Sequence, residues 1–519
     1  MVNYEWNIKI QAKEKKMKKY LLILISTVSL VFSSAITVFA EDFSQSEKTG
    51  FSNIIEKFFE SPAAIISAVF FIVATVLIAV FGRKIADRLD NTTAKSMTNI
   101  FILFFSVFGI ASLIMGFMSE GETWSNLMHK NPDATFPFTQ FEDYIQNVKY
   151  AGRKDFYKMA GNNTPFSILM FYLLAQFLPP KLLFSDSFTY GIIILRNQTF
   201  MYMYLILVMM IVFLTYKMNR YVLRRNGLNF RDEIISFLLV VSFPAIYCIE
   251  KGNFSAISLM LSLLFILFRN SEKKAFRELS YLSLAVSAAI TPYTLIYAFL
   301  LVDVKDKKSF INFAKTVGYF VILFITPAFF TGFGNLLTYV KVFLNVDADA
   351  YIRTNMSIAN ILHFFGISNT AIVYAVFILT EAIALLAMFV LPSVWQKSVA
   401  ATYIMLNIFS VSDPVVAIFA FIPLIFILAE KSHSKYDWFY MFALAFLVTP
   451  LPEWFRYDSI AFDEFLATMN ITVNNANELI APAATQFIVI LLLVQIVSFF
   501  KTRKTKATVT AAPSDTGSV

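Results

Sequence analysis

Residues 165–184 read PFSILMFYLLAQFLPPKLLF, an apolar stretch interrupted by a single charge, Lys181. About twenty such residues cover a 30 Å hydrocarbon core, so the segment is long enough to cross a membrane. Whether it crosses decides the direction of every helix after it. Other uncharged or nearly uncharged runs fall at 20–40, 62–82, 100–118, 197–216, 234–249, 252–268, 281–302, 316–340, 367–392, 399–429, 438–452 and 480–500. Long uncharged runs are the mark of helices in lipid, not of the alternating strands of an outer-membrane barrel. The 519-residue chain is 58% hydrophobic and 15% charged, with mean hydropathy +0.65. Soluble domains carry about 45–50% apolar and about 25% charged residues, so this chain has too little polar surface for water. The expectation is an all-α integral membrane protein, a polytopic helical bundle of about fourteen spans.

Charge sets the direction. Positive residues accumulate on the cytoplasmic side. Alternating from a cytoplasmic cluster at Lys13, Lys15, Lys16, Lys18 and Lys19 puts Arg224-Arg225, Lys273-Lys274, Lys307-Lys308 and the basic 501–506 tail inside. That holds only if 165–184 does not span. If it did, Arg220, Arg224 and Arg225 would move outside and every later loop would invert. The segment is therefore read as a re-entrant or interfacial helix, which is allowed where protein buries its backbone. Two further runs are divided. The 399–429 run is too long for one helix and carries Asp413-Pro414, so it reads as two spans joined by a turn. The 281–302 run is broken by Thr291-Pro292 and reads as a short hairpin that enters and returns.

These assignments divide the chain into a signal peptide or signal anchor (1–40), an external segment with a span and cytoplasmic loop (41–99), a membrane domain (100–501) and a disordered cytoplasmic tail (502–519). Lys18-Lys19, an apolar core, and Val38-Phe39-Ala40 before Glu41 have the form of a secretory signal. An uncleaved anchor fits equally, and both leave the downstream topology unchanged. The multi-pass protein then sits in the cell membrane with both termini cytoplasmic, or with an external N-terminus if the signal is removed. The single Cys248 excludes a disulfide framework and a cysteine-based metal cluster, and His129, His363 and His433 have no metal spacing. The net charge of +8 is distributed along the topology, which argues against nucleic acid.

Chemistry is expected outside, where the loops 119–164, 341–366 and 453–479 lie. The first contains Glu142-Asp143 among aromatics. A carboxylate desolvated by such neighbours serves as a general base; a solvated acidic loop with interfacial aromatics is the plainer alternative. Arg353 suits bidentate phosphate binding, as Lys251 at a span end suits a phosphate charge, and each is equally explained as a snorkelling cation. Glu381 lies inside an apolar run, where a charge is costly and usually functional, though a structural hydrogen bond would also account for it. Asp413 is a turn former by default.

The order Asp143-Tyr-Ile-Gln-Asn, Tyr150-Ala-Gly-Arg-Lys-Asp155-Phe-Tyr157 and Asn163-Thr-Pro165 resembles the opening loop of polyprenol-phosphate-sugar-dependent glycosyltransferases of the GT-C membrane class, especially glycosyltransferase family 87. Further on, Glu250-Lys251-Gly252-Asn253 resembles that family's Gly-polar-Asn turn. Ala289-Ile-Thr291-Pro292-Tyr293 resembles its Lys-Pro break, Asn355-Met356-Ser357-Ile358 its Asn-Gln-Ser-Leu loop, and Ser412-Asp413-Pro414 its late external turn. Thr291 stands where the family has lysine, and Met356 where it has glutamine. The first departure removes a phosphate contact that another cation must replace.

The resemblance implies a GT-C-like fold and transfer of a sugar, mannose or another hexose or pentose, from a polyprenyl-phosphate carrier. The acceptor would be a cell-envelope glycan or glycolipid on the external face. It implies Asp143 as base with Glu142 beside it, Arg353 and Lys251 on the donor phosphate, and Asn253, Asn355, Asp413 and Thr291 as further substrate contacts. It implies neither metal nor organic cofactor; donor, acceptor and membrane lipids are the partners. The rival class is a polytopic transporter or lipid flippase of envelope-polymer biosynthesis, which predicts ionisable residues at mid-membrane depth and paired broken helices.

Overall fold

A computed structural model describes residues 93–118, 163–176, 198–225, 231–303, 306–344, 356–364, 369–408, 414–430, 433–434, 436–450 and 476–510, with Val73, Val76, Tyr144, Asn147, Val148 and Ala151 besides. All regular structure among these residues is helical. The signal segment, the 62–82 run and the 453–479 loop fall largely or wholly outside them.

The first long helix, α1 (Thr93–Met118), starts before the apolar run that announces it. After it come α2 (Pro165–Ala175), α3 (Gln198–Arg225), α4 (Arg231–Val240), α5 (Phe243–Lys251), α6 (Ser255–Phe268) and α7 (Lys274–Ile290). A 3-10 helix (Pro292–Leu301) leads to α8 (Lys307–Ile325), α9 (Ala328–Thr331) and α10 (Phe333–Leu344). Then follow α11 (Ile358–Phe364), α12 (Thr370–Val390), α13 (Val394–Asn407), a second 3-10 helix (Pro414–Ala420), α14 (Phe421–Leu428), α15 (Asp437–Val448) and α16 (Ala476–Thr510).

Among the described residues four helices are long and apolar enough to cross a membrane: Tyr204–Arg224, Lys307–Phe330, Ala371–Val390 and Pro482–Phe500. The bent pair α4–α5 makes a fifth if it is one span. The surface has the character of a membrane protein. Large apolar side chains stand exposed along these helices, among them Ile206 at 66%, Ile322 at 63% and Phe330 at 75%. Such a face, far beyond the patches of a soluble monomer, requires an apolar surrounding. Buried serines and threonines stand in the helix contacts beside a large apolar core, small polar residues that let membrane helices approach and bond one another.

Several runs break where local chemistry breaks them. The 234–249 run is two helices bent by 47°. Ser242 is extended (φ −71°, ψ 157°) just ahead of Phe243-Pro244, since proline sits in the first turn of the new helix and cannot continue the old one. The 316–340 run is likewise divided at Thr326-Pro327 and at Gly332 (φ 92°). The expected break at Thr291-Pro292 is present, with α-helix before it and 3-10 helix after. The 399–429 run ends its first helix at Asn407 and resumes at Pro414, and α13 packs against α14. Within segment 165–184 the described residues form an 11-residue helix, Pro165–Ala175, about 16 Å long at 1.5 Å per residue; 177–184 lie outside the described residues. One expectation is corrected: the final helix continues to Thr510, so 502–510 is helical rather than disordered. Lys501 to Thr510 contains no helix breaker, and Pro513 is the first.

Candidate functional site

Helices α6 and α7 form an antiparallel hairpin whose register is read from its hydroxyls. Ser258 Oγ lies 2.7 Å from Thr291 Oγ1, and Ser262 Oγ 2.9 Å from Ser287 Oγ. Ser287 also donates to the Ser258 carbonyl at 2.9 Å. The Thr291 break and the turn before Ser255 are therefore at one end of this hairpin, with Arg269 and Lys274 at the other.

That first end gathers the motif segments. Thr164 caps α2, accepting the Ser167 N–H at 3.2 Å, and its hydroxyl donates to the Ala289 carbonyl. The Ser167 hydroxyl donates to the Ile290 carbonyl at 3.1 Å. Asn163 Nδ2 donates to Asn147 Oδ1 at 2.6 Å, tying the opening loop to the same place. Gly252, at φ 71°, ends α5 in a left-handed turn, and a Cβ built on it would lie 2.5 Å from Tyr144 Cβ. Tyr144 is buried, with its ring 4.5 Å from Tyr204 and 6.2 Å from Phe171, and Phe171 stacks on Phe254 at 4.4 Å. The Tyr204 hydroxyl donates to the Ile249 carbonyl at 2.7 Å. The opening loop is thus clamped onto the 249–254 turn by aromatic rings. Burial pushes the Tyr144 phenol above its ordinary range, so it stays neutral.

Of the residues singled out from sequence, Asp143, Glu142, Arg353, Asn355 and Asp413 lie outside the described residues. Lys251 is buried in the last turn of α5 with its ammonium 6.0 Å from the Tyr247 ring. Asn253 lies two residues before α6, its Oδ1 accepting from the Ser255 N–H at 2.9 Å and the Ser255 hydroxyl at 2.7 Å. Thr291 is buried with its hydroxyl engaged by Ser258. The structure thus brings Lys251, Asn253 and Thr291 to one end of the bundle, in surroundings that already use the Asn253 carbonyl oxygen and the Thr291 hydroxyl.

A second polar group joins α12, α13 and α16. The sequence singles out Glu381 in it, and the structural hydrogen bond that is one reading of that residue is present, while its amide partners are not found from sequence. Asn407 Nδ2 donates to Glu381 Oε1 at 2.7 Å and to Thr380 Oγ1 at 3.3 Å. Asn407 Oδ1 accepts from the Ile358 N–H at 2.8 Å and from Gln486 Nε2 at 3.3 Å. The signal was available, since Asn407 and Gln486 are uncharged amides in otherwise apolar runs. An amide in a span looks harmless on a charge count.

Beside the clamp, Tyr204, Val208, Ile211, Cys248, Asn253 and Phe421 line a partly open, mostly apolar cleft. Among the described residues no group of three or more His, Cys, Asp and Glu side chains is placed to hold a metal ion. Comparison with protein-family models, with curated proteins and with solved structures finds no match to this chain.

Proposed function

We propose that this protein is a membrane glycosyltransferase that moves a sugar from a polyprenyl-phosphate carrier to a cell-envelope acceptor on the outer face. The proposal rests on the ordered resemblance to the GT-C class. The observation that supports it best is the convergence of Tyr144, Asn147, 163–167, 250–254 and 289–291 on one end of the bundle, where a shared site would require them. Asp143, next in the chain to the clamped Tyr144, takes the acceptor hydroxyl's proton. The acceptor oxygen bonds to the anomeric carbon as the bond to the phosphate oxygen breaks. The departing lipid phosphate carries the electron pair, and its charge is met by Arg353 and Lys251, because a leaving group already anionic needs cations more than a proton donor.

The test is consumption of lipid-linked sugar by purified protein. General bases contribute about 10²–10⁴-fold, so Asp143→Asn is expected to lower turnover at least about a hundredfold, and Glu142→Gln much less. Arg353→Ala is expected to weaken donor binding as well as slow release of the phosphate. Retained turnover in both carboxylate variants would remove the base from this loop. A transporter or flippase is the second reading, favoured by the bent α4–α5 pair and by Glu381 within α12. It predicts movement of a lipid-linked substrate across vesicles with no sugar released.

A further inference from the structure

We propose that Asn407 is a positioning residue that anchors the start of α11, just after Arg353 and Asn355 in the chain, and that Glu381 orients it. The inference rests on the reading of those two residues as donor contacts. Asn407 is fully buried at the end of α13. A carboxamide has two N–H donors and two acceptor lone pairs, and here all four are used. The donors go to Glu381 Oε1 and Thr380 Oγ1, and the acceptor takes the Ile358 N–H and Gln486 Nε2. A flipped amide would face donor against donor at Ile358 and Gln486, so the partners fix its orientation.

The bond to Ile358 is what makes this a positioning device. Ile358 is the first residue of α11, and its N–H is one of those a helix cannot satisfy internally. Asn407 therefore caps α11 from a different helix. Gln486 reinforces the same point: its Nε2 donates to the Met356 carbonyl at 3.4 Å, while the Tyr403 hydroxyl donates to its Oε1 at 3.0 Å. Two helices, α13 and α16, thus bond two backbone atoms of residues 356–358, and α12 stands behind them through Glu381. Glu381 supplies the acceptor oxygen that holds the Asn407 amide in this sense.

The test uses the full-length protein in detergent and two readouts. One is amide hydrogen exchange of the peptide spanning 356–364, compared with that of 370–390. The other is the split between KM for a polyprenyl-phosphate sugar and kcat. Asn407→Ala is expected to speed exchange in 356–364 at least about tenfold, equivalent to about 1.4 kcal/mol, with 370–390 unchanged, and to raise KM more than it lowers kcat. Glu381→Gln, which keeps an acceptor oxygen, is expected to behave like the unaltered protein, whereas Glu381→Leu should follow Asn407→Ala. Should Asn407→Ala fail to fold, Gln486→Leu leaves the bond to Ile358 in place and is expected to loosen 356–364 to a smaller degree. Equal loosening of both peptides, or unchanged exchange in 356–364 in a folded variant, would overturn the inference. Faster exchange in 356–364, in a protein that turns over no donor, would leave the anchor standing and remove the transferase reading.

Discussion

At Gly252 two requirements meet that only glycine satisfies. Its φ of 71° is strained for any residue with a side chain, and a Cβ there would sit 2.5 Å from Tyr144 Cβ. Gly252→Ala is therefore expected to lower stability by about 1–3 kcal/mol, read as a fall in Tm of the purified protein. It should also loosen the opening loop, because relief comes by moving Tyr144 away. Thr164 makes a smaller contribution of the same kind, capping one helix and bonding the carbonyl of another. Thr164→Val keeps the shape and loses both bonds, an expected cost of about 1–2 kcal/mol in the same measurement. The sequence marked Gly252 and Asn163-Thr164 as motif positions without showing why. The reason is a contact across more than a hundred residues of chain, which no local pattern records. Thr291 shows the same limit. Read as the place of a missing lysine, it is the hydroxyl that locks α7 to α6.

Among the elements, what could be read depended on whether a break was local. Pro292 and Pro414 were legible as breaks, because proline stops a helix within a residue or two. The bend ahead of Pro244 follows from the same rule and was missed, since a sixteen-residue run with no charge looks like one span. That the segment after Thr291 winds as a 3-10 helix was not legible, because i→i+3 and i→i+4 bonding share one apolar pattern. The α6–α7 hairpin depends on buried hydroxyls at helical spacing, Ser258 and Ser262 facing Ser287 and Thr291. Hydrogen bonds between helices in membranes average about 0.6 kcal/mol in double-mutant cycles. A cycle of Ser262→Ala and Ser287→Ala is expected to give a coupling of that order in detergent unfolding. Strict additivity of the two would show that these hydroxyls fill space and no more.

Across the whole molecule, charge and motif sort to opposite ends. Tyr204 of α3 bonds at the 249–254 turn, and Arg220 follows it sixteen residues on, about 24 Å along the helix. There Arg220 and Arg224 pair with buried Asp232, at 3.0 and 2.7 Å. Arg269 lies at the far end of α6, where burial pushes its guanidinium down to about 10. Burial, and then Arg269 close by, push the Lys397 ammonium down, while Asp303 acts against them. Asn407 stands ten residues beyond Lys397, about 15 Å along α13, so the α11 anchor belongs to the motif end. Among the described residues, Arg220, Arg224 and Arg269 lie at one end and the described motif segments with Lys251 at the other, the arrangement the positive-inside rule favours if the arginine end is cytoplasmic. The central claim is therefore sidedness, and one labelling experiment reaches it directly. In intact cells, cysteine introduced at Ser125 should react with an impermeant thiol reagent and cysteine at Asn226 should not. Reaction at Asn226 with protection at Ser125 would turn the motif end toward the cytoplasm and contradict the account.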